Sequence, residues 1–169
     1  MGSEFPDRRW GTESSPLRRP MVALASTSFG SWVIRMLVPI DRRLLRTTGG
    51  RFTALGPIGA PTVLLTTIGR RSGEKRTSPL IYVRDDPDLF VVGSNFGQEH
   101  HPAWTWNLLA EPTCWVNTAG TDIEASATLV EGSDRDRIVG EFEKMVTAYE
   151  VYRGRTDRPM RVFRLTPAA

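Results

Sequence analysis

A chain of 169 residues with 40 % hydrophobic residues is long enough for one self-supporting core, and 22 Lys+Arg against 19 Asp+Glu leave it a formal charge of +3. Its single cysteine excludes an intrachain disulfide. Two adjacent histidines, His100 and His101, have no sulfur or acidic partners at ligand spacing, which argues against a metal site. Cys114 lies in the apolar run Thr113-Cys-Trp-Val116, the setting of an inert buried thiol, so a reducing cytoplasm is the compartment that fits. Residues 35–84 hold ten cations and two acids, whereas residues 85–169 hold eight cations and fourteen acids. A basic half beside an acidic half points to a localised anionic partner. Aromatic residues do not interleave with the basic run as a base-stacking platform requires, which speaks against nucleic acid.

Along the chain, residues 1–20 show no hydrophobic period and open on Gly-Ser-Glu-Phe in the manner of an expression tag, so the natural start is expected near Met21. Residues 21–48 read as a basic amphipathic helical segment. Phe29, Val33, Met36, Leu37 and Ile40 recur at helical spacing, Leu44 and Leu45 continue past the kink expected at Pro39, and Arg35, Arg42, Arg43 and Arg46 mark the polar side. Such a stripe either packs on the domain or lies on an anionic membrane surface, and Arg35 with several hydroxyl residues speaks against a spanning helix.

The remainder, 49–169, turns to strands, expected over 62–68, 77–84, 89–93, 114–118, 123–129 and near 161–165, with turn-like links between them. Strands in short succession predict an antiparallel sheet or barrel, mainly β with flanking helices (α+β). Helices are expected over 102–110 and 133–146, the second capped by Ser133 with Asp134 and Asp136 suited to its N-terminus.

Directly after the first strand the chain reads Gly-Arg-Arg-Ser-Gly-Glu-Lys-Arg over 69–76. Gly69 and Gly73 permit positive φ, so successive N–H groups can converge on an anion, while Ser72 adds a hydroxyl and Arg70, Arg71, Lys75 and Arg76 add charge. The guest expected there is a phosphate-bearing cofactor. The same composition also suits an ordinary solvated hairpin loop.

Taken in order, Thr66-Thr-Ile-Gly-Arg-Arg-Ser-Gly73, Arg76 with Pro79-Leu80, Ser94-x-x-Gly97, Pro102-x-Trp104-x-x-Asn107-Leu108 and Tyr149-x-x-Tyr152 with Thr156-x-Arg158 resemble the deazaflavin-dependent nitroreductase family of actinobacteria. The resemblance implies a split β-barrel of the FMN-binding type and a reductase using reduced coenzyme F420, whose phosphodiester and oligoglutamate tail are anionic. It implies that Arg70, Arg71, Ser72, Gly73 and Arg76 take the phosphate and tail, and that Ser94, Asn95, Gly97, Ala103, Trp104 and Asn107 meet the deazaflavin ring. Considered alone Trp104 reads as core, and Asn107 has the alternative of a residue of the helix surface or end. Tyr149, Tyr152 and Ser94 are the donors it offers to the product anion of a reduced quinone, enone or nitro group, Tyr149 first through oxyanion stabilisation. The alternative for the two tyrosines, which stand at i, i+3 helical spacing, is a pair that faces the core. Asn95 stands where the family commonly has a cation, His101 where it has asparagine, and Arg71 at a frequent lysine. The alternatives are an FMN-binding split-barrel oxidoreductase and a deazaflavin binder without turnover. The chain is placed in the cytoplasm, with a peripheral position on the inner face of the membrane as the alternative.

Overall fold

The computed structural model describes residues 5–6, 23, 27, 40, 43, 47, 61–118 and 120–168. Of the basic helix expected over 29–45, Ile40 and Arg43 are described, both helical and exposed; the rest of it and most of the first 20 residues lie outside the described residues. Phe5, within the tag-like stretch, is an exception: it is buried among the barrel side chains, and its carbonyl accepts from Arg84 Nη2 at 2.7 Å.

Six strands, β1 (Thr62–Ile68), β2 (Lys75–Asp85), β3 (Asp88–Gly93), β4 (Thr113–Asn117), β5 (Asp122–Val130) and β6 (Arg161–Pro167), close a barrel in the order β1-β2-β3-β6-β5-β4. Every neighbouring pair is antiparallel. Along β5 Ala125 and Ala127 are buried while Glu124, Ser126 and Thr128 are exposed, the period-2 pattern of a strand with one wet face. In β3 both faces are covered: Leu89 and Val91 enter the barrel core, and Phe90 and Val92 enter a second cluster outside it.

That second cluster is roofed by α2 (Gly132–Met145) and α3 (Ala148–Gly154), while α1 (Ala103–Ala110) packs by Trp104 and Leu108 on the barrel core. Helix α2 begins at Gly132, with Glu131 preceding it and no side-chain cap, so Ser133 lies inside the first turn rather than capping it. The sequence reading did not anticipate α3 or the 3-10 turn Asn95–Gly97. Asn95, Phe96 and Gly97 all have positive φ, 46°, 56° and 74°. A Cβ on Gly97 would stand 2.6 Å from the Tyr152 carbonyl oxygen. Gly97→Ala therefore combines backbone strain with a clash against rigid main chain, and should cost roughly 1–3 kcal/mol, read as a lower urea midpoint at unchanged slope.

Candidate functional site: an arginine-walled cavity

The β1–β2 register runs from Thr62 opposite Ile81 to Ile68 opposite Lys75, so Gly69–Glu74 form the hairpin loop and Lys75 and Arg76 already belong to β2. Beside this loop lies α1, which follows the apolar Pro102 and buries Trp104, Thr105, Asn107 and Leu108. Loop and helix together enclose a cavity of about 550 Å³ lined by Arg70, Arg71, Ser72 and Arg76 on one side and by Ala103, Trp104, Trp106, Asn107 and His101 on the other.

The loop is charged as expected, but its backbone is not an anion nest. Gly69 N donates to Glu74 O at 2.8 Å, Ser72 N and Gly73 N both donate to Gly69 O, and Glu74 N donates to Ser72 Oγ. Arg70 N donates to Asn107 Oδ1 at 3.1 Å. The expectation that successive N–H groups converge on a guest is corrected for five of them: those of Gly69, Ser72, Gly73 and Glu74 close the turn on itself, where Gly73 at φ +68° lets the chain double back, and that of Arg70 is taken by Asn107. Recognition of an anion falls to side chains instead.

Those side chains divide. Arg70 and Arg71 have no carboxylate partner among the described residues, whereas Arg76 Nη2 is paired with Glu74 Oε2 at 2.7 Å in an exposed bridge. Lys75 turns away from the cavity and places its ammonium 3.5 Å from the centre of the Trp115 ring. Arg70 lies 5.2 Å from the ring centre of Trp106, which also carries the Arg161 guanidinium at 3.9 Å.

Asn107 is the joint of the site. Besides accepting from Arg70 N, its Nδ2 donates to Thr67 Oγ1 at 3.0 Å, and that hydroxyl faces Arg76 O at 3.5 Å. One buried amide therefore ties down both stems of the loop. The sequence reading set this amide against a ring edge, and the structure commits it first to the protein. Trp104 is 6 % exposed and meets Phe163 edge-on at 5.8 Å, so it is a core residue with one edge on the cavity.

The remaining expected site residues gather elsewhere. Ser94, Asn95, Gly97, Tyr149 and Tyr152 do not line this cavity; they pack around the 3-10 turn and α3. The Tyr149 ring lies 5.2 Å from Phe142 and 5.7 Å from Tyr152, and Tyr152 meets Phe96 at 5.7 Å. Burial, and then the neighbouring Tyr152, push the Tyr149 hydroxyl well above the usual tyrosine range, and its hydrogen bond with Ser94 pulls the other way. The core-facing reading of the pair describes this packing, because α3 turns both rings into the outer cluster. Asn95 Nδ2 donates to Gln98 Oε1 and His100 O, which stabilises its left-handed turn.

Sequence reasoning passed over Trp106, Arg161 and the partnership of His101 with Arg158. Trp106 is 37 % exposed, unusual for so large an apolar ring, and the Trp-x-Trp spacing on a short helix was the one available signal. Cys114 is buried, with its thiol pushed up to about 12 by desolvation and then by Glu124, as an inert residue should be. No group of side chains among the described residues could hold a metal ion.

The cavity suits a long anionic cofactor: three arginines and a serine hydroxyl on one wall, indoles on the other, and no carboxylate lining it among the described residues. Known proteins agree with this chemistry. The profile of the F420H(2)-dependent quinone reductase family matches residues 32–167. An F420H(2)-dependent quinone reductase of Mycobacterium tuberculosis is 32 % identical over 135 residues, 77 % of this chain and 89 % of that protein. The solved structure of an F420-H2 dependent reductase, FDR-A, superposes with a TM-score of 0.57 at 33 % identity, covering 62 % of this chain and 93 % of that one. A second solved structure, described as a domain-swapped dimer, superposes with a TM-score of 0.60 at 30 % identity, covering 80 % and 97 %. The chain belongs to the F420H(2)-dependent quinone reductase family, split-barrel oxidoreductases whose cofactor is coenzyme F420.

Proposed function

We propose that the chain transfers a hydride from reduced F420 to a quinone, with the anionic end of the cofactor on Arg70, Arg71 and Arg76. The observation that carries this reading is the asymmetry of the cavity: Arg70 and Arg71, without a carboxylate partner among the described residues, and the Glu74-paired Arg76 on the loop wall, against indoles on the helix wall. When bound, the reduced deazaflavin supplies the hydride. Arg70 and Arg71 anchor its phosphate by charge-assisted hydrogen bonds, and the Ser72 hydroxyl adds a donor. Trp104 and Trp106 exclude water from the helix side, where a flat apolar acceptor would lie. Tyr149 and Tyr152 act at one remove, by holding Ser94 and the 3-10 turn, so stabilisation of the product anion is assigned to the cavity wall.

The test is anaerobic oxidation of F420H2 by menadione, followed as the return of deazaflavin absorbance, with a nitroaromatic and an enone run alongside. Menadione should be reduced well above the uncatalysed rate, and FMNH2 should not replace the deazaflavin. Tight F420 binding without turnover of any acceptor would overturn the proposal.

A membrane-dissolved quinone would be reached best from the bilayer surface, and the basic segment 21–48 is the part of the chain suited to that contact. The full chain should float with vesicles containing anionic lipid, and less so at high salt. A chain beginning at Thr47 should stay in the soluble fraction; equal flotation of the two removes the membrane role.

A further inference from the structure

His101 and Arg158 form a pair that the hydride-transfer reading does not use. Arg158 Nη1 stands 2.7 Å from His101 Nδ1. A guanidinium has donors only, so Nδ1 accepts, and the single proton of the neutral imidazole must sit on Nε2. Arg158 is itself pinned: its Nε donates to Gln98 O at 3.2 Å, its Nη2 to Ser94 O at 3.0 Å, and its Nη1 also faces Gly93 O at 3.4 Å. From another side the imidazole meets Trp106 nearly perpendicular, ring centres 5.8 Å apart. His101 lines the cavity, and among the described residues its Nε2 has no hydrogen-bond partner.

We propose that His101 is a neutral hydrogen-bond donor in the cavity, offering Nε2–H to the quinone oxygen that becomes the oxyanion, and that Arg158 is the residue that positions it. The proposal rests on the hydride-transfer reading. F420H2 would give a hydride to the quinone and lose its second hydrogen to solvent as a proton, so the cofactor is oxidised and the quinone reduced by two electrons; the hydroquinone monoanion that results takes its remaining proton from water. His101 keeps its own hydrogen throughout. An imidazole could deliver that proton only as imidazolium, and this one is disfavoured: burial first, then Arg158 and Arg161, lower it from 6.5 to about 4. The charged groups facing the ring are Arg158 and Arg161, with Arg70 beyond Trp106, and exposed Glu99 and His100 precede it in the chain. A neutral donor stabilises developing negative charge without bringing a further cation into the arginine-walled cavity.

Nitrogen-15 NMR of the full chain labelled at histidine tests the pair directly, before any cofactor is added. His101 should show an unprotonated Nδ1 and a protonated Nε2, and should remain neutral down to about pH 5. In Arg158→Gln its midpoint should rise part of the way only, since burial, the largest cause of its depression, and Arg161 both remain, and the menadione rate should gain a titration at the raised midpoint. His101→Phe should slow single-turnover reduction of menadione by about 10- to 100-fold, more than it weakens F420 binding, and His101→Asn, which retains a donor, should recover part of the rate. An Nδ1–H tautomer overturns the proposal, as does an unmoved midpoint in Arg158→Gln. If that variant does not fold, the wild-type tautomer and the His101 variants decide. A wild-type rate in His101→Phe removes the donor role and leaves hydride transfer standing, whereas an inactive wild type removes both, whatever tautomer is found.

Discussion

Arg70→Ala with Arg71→Ala should weaken F420 binding by about two orders of magnitude, since each charge-assisted hydrogen bond contributes roughly 1.5 to 3 kcal/mol and about 1.4 kcal/mol is a tenfold change in affinity. The two guanidinium groups line the cavity and have no acidic partner among the described residues. Arg76 lines it too, but Glu74 already holds its Nη2 at 2.7 Å, so Arg76→Ala should cost only about threefold. By the same reasoning Glu74→Gln should tighten binding slightly, and Lys75→Ala should leave it unchanged because that ammonium sits on Trp115. The order of the four effects is itself a prediction, read by fluorescence titration at low salt and again at high salt. Binding should weaken as salt rises. Wild-type affinity in the folded double variant would remove the loop from the cofactor site.

The barrel was largely legible because its strands carry their own signal. The run Thr62–Ile68 is a strand at both expected ends, and β5 differs from its expected range by one residue on either side. β2 begins two residues earlier than expected, because Lys75 and Arg76 pair with Ile68 and Thr67 while offering no apolar period to read. α3 was missed for a related reason: a seven-residue helix set off from α2 by extended Val146 has too few turns to display a period. At the site, composition revealed the cationic loop but not the direction of its N–H groups, which depends on how the turn closes. Contacts distant in sequence were hidden altogether. Arg70 meets Asn107 across 37 residues and His101 meets Arg158 across 57, and nothing local to any of the four announces its partner. The tyrosines illustrate the same limit: packing sets Tyr149 against Ser94 beside an apolar cluster, a contact that residue type and spacing do not reveal.

Asn107→Leu should be the most damaging single change at the site, because it removes a buried amide that both accepts and donates. With the side chain gone, Arg70 N loses its acceptor and Thr67 Oγ1 its donor. Thr67 is completely buried, so water cannot replace the lost partner there. A buried polar group left unsatisfied costs about 1–3 kcal/mol, which applies at Thr67, whereas water can reach Arg70 N in its exposed loop, so the expected destabilisation is roughly 1–3 kcal/mol, partly offset by the added apolar contact of leucine. Affinity should fall as well, since Asn107 anchors one stem of the loop directly and the other through Thr67 and Arg76 O. Asn107→Asp separates the two bonds: its carboxylate still accepts from Arg70 N but offers Thr67 no donor, so it should retain more of the F420 affinity than leucine while losing stability at the Thr67 end. Urea unfolding and F420 titration of both variants check this. If Asn107→Leu unfolds at the wild-type midpoint and binds F420 as tightly as wild type, the amide is not what holds the loop.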